Sequence, residues 1–361
     1  MTTQTATTRE KPMDQGVQET DERSAFYGRA SGENLAPLWK VLSGLVGPKP
    51  LPKAVPFRWR YTEVLPFLME ACALITAEEA ERRVLILENP ALRGMSRALD
   101  SLFAGLQIIL PGEVAPAHRH VASALRFIID GENAYTAVDG ERTMMSPGDF
   151  VITPSWTWHD HGSFGDRPMV WLDGLDMHIV NLLSASFREE LEFKQYPINR
   201  PDDSTLAEFG YSMAPDSYQH ERTGSPIVNY TYARAKEALA AIEAHRAIDP
   251  HQGHKLNYLN PMTGDWAMTT LATSMRKLPA GFTTAPYQST DSTVFVVVEG
   301  EGVSRIGGEE FDWKEHDVIV APSWALQEHE ARRDSTLFSY SDRATQEKLH
   351  LWREKRHTSA S

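Results

Sequence analysis

Cysteine is almost absent from this 361-residue chain: Cys72 is the only one. No disulfide can form within the chain, so stability has to come from core burial, as in proteins of reducing compartments. Also missing is any apolar run near the roughly 20 residues that cross a bilayer, and the N-terminal stretch has no hydrophobic signal core. Together these absences lead us to expect a soluble, cytoplasmic protein with no membrane partner. Positive charge is short as well. Thirty-six Lys and Arg face 49 Asp and Glu, a formal net charge of −13, which argues against a nucleic-acid partner. An anionic substrate would therefore have to be drawn in by local arginines. No Gly-x-x-x-x-Gly-Lys-Ser/Thr phosphate loop precedes a helix, and Ser155 sits in Pro-Ser-Trp rather than Gly-x-Ser-x-Gly. Phosphate-loop chemistry and acyl transfer by serine fall away with them, and Cys72 has no partner pattern as a nucleophile.

Residues 1–22 are polar and read as a disordered N-terminal arm. Residues 23–83 read as a helical N-terminal layer: irregular from Arg23 to Pro56, then helical from Thr62, where Val64, Leu65, Leu68, Met69 and Cys72 recur at helical spacing. Thr76-Ala-Glu-Glu resembles a capping box and predicts a second helix running to about Arg83. From Val84 the texture changes to short β-type runs between Gly, Pro and Asp turns, over residues 84–184. Residues 185–253 return to helix, with Phe187 to Gln195 and Tyr232 to Ile248 as candidates, forming a connector. A second β-rich block follows at 254–343, then a charged C-terminal tail at 344–361.

The stretch from Pro111 to Gly162 carries the chemistry. It opens PGEVAPAHRH and closes PSWTWHDHG. On an extended strand His118 and His120 point to one face while Arg119 points to the other. His159 arrives from a later strand as a third imidazole. The second β block repeats this text: Gly112 aligns with Gly281, Gly131 with Gly300, Asp149 with Asp317 and Trp156 with Trp324. Where the first copy has His118, His120 and His159, the second has Tyr287, Ser289 and Gln327. The second copy has therefore lost the ligands. Trp156 and Trp324 read as core packing, and His178, His220, His245, His251 and His254 fit no ligand spacing.

The spacing of Gly112, His118, His120 and Gly131, and of Gly148, Pro154 and His159, resembles the paired motifs of the cupin superfamily. With WHDHG in the first copy and TVFVVVEG in the second, the chain resembles the gentisate 1,2-dioxygenase family, with its salicylate- and hydroxynaphthoate-cleaving relatives. The resemblance implies a mainly β bicupin of two jelly-roll barrels with added helices. It also implies a homotetramer. Many cupins carry a ligating glutamate where this chain has Ala124, and the ring-cleaving relatives share that absence. The implied ligand set is three neutral imidazoles, His118, His120 and His159, holding one Fe(II) per subunit in the first cupin domain. A small aromatic ortho-hydroxycarboxylate would supply the missing negative charge beside O2.

Strand parity carried on from Ala124 turns Arg126 to the same cavity, and Phe103, Gly105 and Gln107 share one face of their strand. The resemblance assigns Arg126, Gln107 and His161 to the substrate pocket as catalytic residues, with Arg82 as a further carboxylate partner and Asp173 as polar support. Phe103 and Gly105 are the expected tuning positions. His161 has a counterpart, His329, in the copy without ligands, which also fits a shared structural role. The leading expectation is ring opening of gentisate to maleylpyruvate. Salicylate or 1-hydroxy-2-naphthoate cleavage, another metal-dependent cupin reaction such as isomerisation or decarboxylation, and a non-catalytic binding cupin are the alternatives.

Overall fold

The computed structural model describes residues 20–218 and 224–358. The chain up to Lys49 forms one compact unit and Pro50–Ser361 another. The first unit holds the helices Asp21–Gly32 and Leu38–Leu45. Residues 1–19 of the polar arm lie outside the described residues, but Asp21 and Glu22 already belong to a helix, and the irregular reading from Arg23 is corrected with them. No residue of Asp21–Gly32 is buried, so its sequence shows no apolar stripe; the helix is marked by its ends. Thr20 accepts from Arg23 N at 3.4 Å and acidic side chains fill the first turn.

The larger unit is two barrels built on one plan. In the first, a six-stranded sheet runs Asn229–Tyr230, Phe150–Thr153, Ala124–Asp130, Met169–Leu175, Phe103–Ile109, Val84–Ile86. In the second, the order is Phe57–Trp59, Val318–Ala321, Thr293–Glu299, Ser335–Ser341, Ala272–Leu278, His254–Asn257. The five-stranded sheets correspond likewise. One is Arg188–Glu190, Val114–His120, His159–Ser163, Ala134–Val138, Glu141–Met145; the other is Glu354–Arg356, Tyr287–Ser289, Gln327–Ala331, Glu301–Ile306, Glu309–Lys314. Every strand of one barrel thus has a partner at the same place in the other.

The paired glycines show why the duplication is legible. Gly131 and Gly300 take φ of 107° and 98°, and a Cβ on Gly131 would come within 2.5 Å of the Met169 backbone. Only glycine enters such a turn cheaply. The paired aspartates do equal work at matching corners. Asp149 accepts from Tyr232 N (2.8 Å) and Ser146 N (3.0 Å), while Asp317 accepts from Tyr61 N (2.9 Å) and Lys314 N (3.1 Å). Each carboxylate therefore anchors the start of a helix, Tyr232–His245 on the first barrel and Tyr61–Leu74 on the second. The segment 57–74 accordingly docks on the second barrel, through the strand Phe57–Trp59 paired with Val318–Val320.

Three further expectations are corrected by ladder partners. Phe187 to Gln195 is not helical: Arg188–Glu190 is a strand paired with His118–His120. The C-terminal tail holds the helix Arg343–Lys348 and the strand Glu354–Arg356, paired with Tyr287–Ser289. The Thr76 helix has its capping box but stops at Ala80, because Glu81 turns to φ 54°. The barrels meet across their six-stranded sheets. Phe127 stacks on Phe338 with centroids 4.2 Å apart, and the Tyr340 hydroxyl donates to Phe103 O at 2.7 Å. Truncating either phenylalanine to alanine would cost about 3–5 kcal/mol.

Candidate metal centre and pocket

Pro116 lacks an amide hydrogen, and the ladder between Val114–His120 and His159–Ser163 shifts register between Ala115 and His118. Beyond the shift His118 lies directly opposite His159. His120 follows on the same face, while Arg119 turns outward to Glu189 and to the rings of Trp156 and Trp158. The ligand nitrogens of His118, His120 and His159 lie within 4.8 Å of one another, the only such cluster among the described residues.

Hydrogen bonds settle the tautomers of two of these imidazoles. His120 Nδ1 lies 2.6 Å from Ala122 O and His159 Nδ1 lies 3.0 Å from Thr157 O. A carbonyl can only accept, so both Nδ1 atoms carry the hydrogen and both Nε2 lone pairs are free. His159 Nε2 is buried with no partner. Burial holds all three imidazoles neutral: His118 and His159 are pushed far below the ordinary value and His120 down to about 4, with the nearby arginines adding to the effect. Three neutral nitrogens converging on one point, one of them buried and unpartnered, fit a divalent transition metal. Ala124 lines the same cavity and is 1% exposed, so no carboxylate enters there.

A cavity of about 330 Å³ opens on the three histidines. Of the pocket residues expected from sequence, Arg82, Arg126, Gln107, Phe103 and Asp173 line it. Arg126 is 3% exposed; it donates to Thr153 Oγ1, and its Nε is buried without a partner, 3.7 Å from Asp173. Burial lowers the Arg126 guanidinium and raises the Asp173 carboxyl to about 6, each partly offset by the other. Asp173 also accepts from Trp171 Nε1 at 3.1 Å. Arg82 donates to Pro116 O at 2.9 Å and is pushed down to about 9, first by burial and then by Arg126. The turn at Glu81 is what carries it past the helix to the cavity.

Gly105 and His161 stand differently. Gly105 is not on the cavity wall, but a Cβ on it would come within 2.5 Å of Val84 Cγ1, and Val84 is. His161 is fully buried, with its ring 5.9 Å from that of His159 and its Nε2 without a partner. Its Nδ1 lies 3.0 Å from Thr136 Oγ1, which also has Met145 Sδ at 3.2 Å.

One wall residue is not legible in the sequence. Arg188 completes a group of three arginines at the cavity, pairing with Glu81 at 2.5 Å and lying opposite His120 in the ladder. Its place comes from a strand partner far back in the chain. Trp156 and Trp324 are corrected from core to turn. Both are partly exposed, at φ 63° and 62°, and their amides donate to His120 O (2.8 Å) and Ser289 O (2.7 Å). His178 donates from Nε2 to Ser96 O at 2.9 Å, a structural bond away from the cavity, and His220 lies outside the described residues.

The chain matches the cupin domain family over residues 105–175. It is 52% identical over 337 residues to gentisate 1,2 dioxygenase 1 of Aquipseudomonas alcaligenes, covering 93% of this chain and 97% of that one. It is 32% identical over 309 residues to a 1-hydroxy-2-naphthoate 1,2-dioxygenase of Nocardioides sp. strain KP7, covering 83% and 78%. Among solved structures, salicylate 1,2-dioxygenase from Pseudoaminobacter salicylatoxidans as a gentisate adduct superposes with a TM-score of 0.90, at 31% identity and 96% coverage of both chains.

Proposed function

This chain belongs to the gentisate 1,2-dioxygenase family, and from that membership we propose that it is an Fe(II)-dependent, extradiol-type dioxygenase converting gentisate and O2 to maleylpyruvate. The observation that carries the reading is the juxtaposition of three neutral imidazoles with Arg82, Arg126 and Arg188 around one cavity that has no ligating carboxylate. Such a site lacks negative charge on the metal side and offers cations beside it. An ortho-hydroxycarboxylate, anionic at its carboxyl and at its phenolate once bound, satisfies both.

Iron held by His118, His120 and His159 would supply dioxygen activation and the redox capacity for opening the ring between the carboxyl-bearing and hydroxyl-bearing carbons. The protein's residues do the rest. Arg126, with a free buried Nε, and Arg82 hold the carboxylate in a low-dielectric pocket where a charge-assisted bond is strong. Asp173 keeps Arg126 in place. Gln107 lines the ring's path, and His161, whose Nε2 is buried without a partner, takes a proton from a ring hydroxyl or shares a hydrogen bond with it. Phe103, and Gly105 through Val84, shape the room left for ring substituents.

Salicylate and 1-hydroxy-2-naphthoate present the same chelating pair and are the second reading, supported by relatives with those activities. The likeness to the family is also the basis for proposing a cytoplasmic homotetramer with one iron per subunit. The test is oxygen uptake by the Fe(II)-loaded enzyme with each of the three acids, followed at the same time by ring-cleavage absorbance. Stoichiometric uptake with gentisate is the expected result. Full iron occupancy with no uptake on any of the three would leave an isomerase, a decarboxylase or a binding protein.

A further inference from the structure

The second barrel has an interior of its own. Where the ladder of the first barrel sets Val84 beside Gln107, that of the second sets Lys255 beside Arg276. We propose that the second barrel binds a small organic carboxylate, whose head sits between Arg276 and Lys255 while its body extends into the adjoining cleft.

The two cations have almost nothing to pair with. Arg276 is 4% exposed; it donates to Gln252 Oε1 at 3.1 Å, lies over the Phe295 ring at 5.1 Å, and has its Nε buried without a partner. Lys255 Nζ reaches the same Gln252 oxygen at 3.4 Å. One neutral acceptor thus serves both cations, and among the described residues neither has a carboxylate within ion-pair distance. The acids of the wall are already engaged. Asp291 accepts from Trp352 Nε1 at 2.9 Å, Asp249 pairs with Arg356 at 2.9 Å, and Glu354 accepts from the Tyr287 hydroxyl at 3.0 Å. Asp291 attracts both cations from beyond ion-pair distance, and this offsets their burial only in part. Burial pushes Lys255 down to about 7 and Arg276 to about 10, although part of the lysine side chain stays accessible.

The space suits the head group. A chamber of about 30 Å³ lies between these cations and Tyr287, Ser289 and Gln327, the residues standing where the first barrel has its three histidines. That is room for about two waters, or for the two oxygens of a carboxylate. A polar cleft of about 330 Å³ shares Gln252, Lys255, Tyr287 and Arg343 with it and can take the rest of a small molecule. A planar guanidinium with an ammonium beside it is the donor set a carboxylate needs.

Isothermal titration of the full-length, iron-loaded enzyme with maleate tests this, comparing wild type with Arg276→Gln and Lys255→Met and with phosphate as a second probe. The expected result is a maleate site in the wild type whose affinity falls at least tenfold in either variant, while iron content and gentisate turnover stay within twofold. If Arg276→Gln loses its iron or precipitates, Lys255→Met carries the comparison, because its side chain is partly at the surface. Wild-type enzyme with no such site, or variants that titrate like wild type, would overturn the proposal. So would phosphate binding as tightly as maleate, which would make this an inorganic oxyanion site.

Discussion

Opposite Asp173 in the first barrel's ladder stands Arg126; at the same rung of the second barrel Phe295 stands opposite Ser339. The exchange continues around the lumen: His118, His120 and His159 against Tyr287, Ser289 and Gln327, and Gln107 against Arg276. The frame around them does not change. His161 and His329 are both fully buried or nearly so, each with Nδ1 on a hydroxyl, Thr136 at 3.0 Å and Ser304 at 2.8 Å. Even here the wiring differs. Thr136 also has Met145 Sδ at 3.2 Å, whereas Ser304 accepts from Trp313 Nε1 at 2.9 Å. Backbone and corner residues are shared between the copies because they build the barrel, while the lumen is free to change because few barrel contacts depend on it.

The comparison breaks most visibly at the metal. Replacing His159 by alanine removes one imidazole of the proposed iron site, and turnover should fall by about 10³-fold or more, some 4 kcal/mol of transition-state stabilisation. Gln327→Ala at the matching position should leave iron content and turnover within about twofold of wild type; metal analysis with steady-state kinetics distinguishes the two. Next comes the charge pair. Arg126→Gln leaves Asp173 buried without its cation and the substrate carboxylate unheld, so kcat/KM should drop by about 30-fold to 10³-fold, or 2–4 kcal/mol. Phe295→Leu at the same rung should cost under about 1.5 kcal/mol of stability and nothing in kcat/KM.

The histidine pair sharpens the comparison further. His161→Asn should lower kcat by about 10²-fold at unchanged iron content, because the titratable ring nitrogen is lost. His329→Asn should leave kcat unaltered. Equal kinetics for both variants would make His161 a packing residue and remove it from the chemistry. The smallest effect is in pH. The folded-state value of His329 lies well below that of an unfolded histidine near 6.5, chiefly through burial. The unfolded chain therefore takes up a proton as pH falls below about 6.5 while the folded protein does not, and stability is lost on acidification. His329→Asn should flatten the acid limb of the urea-midpoint profile by up to about 1.4 kcal/mol per pH unit below that point. Asp342 works the other way. Its carboxyl is raised to about 7 by burial, so its contribution is present at low pH and fades as pH rises from about 4 to 7.

Much of the site is legible in the order of residues. His118 and His120 alternate across Arg119, and period-two alternation is a local property of a strand. The glycines, prolines and aspartates of the corners repeat in order, because a left-handed turn or an anchored helix start admits few residue types. Arg188 escapes because nothing in its neighbourhood marks a strand, and its partner lies in the His-x-His segment. Trp156 and Trp324 mislead for the opposite reason. Large apolar rings suggest a core, but both sit at left-handed backbone on partly exposed corners. The strand Glu354–Arg356 reads as a charged tail until Tyr287–Ser289 is set beside it.

By itself, then, the sequence determined the bicupin plan, the set of three histidines that come together in the first barrel and its absence from the second copy, since each is written in residue types at short spacing. The tertiary structure alone decided which arginines surround the three-histidine cluster, which hydroxyl meets each buried histidine, and that the second lumen holds two cations with one neutral acceptor. Those depend on strand register and on burial. A residue's charge is fixed by its type, but the cost of that charge is set by what long-range pairing places around it.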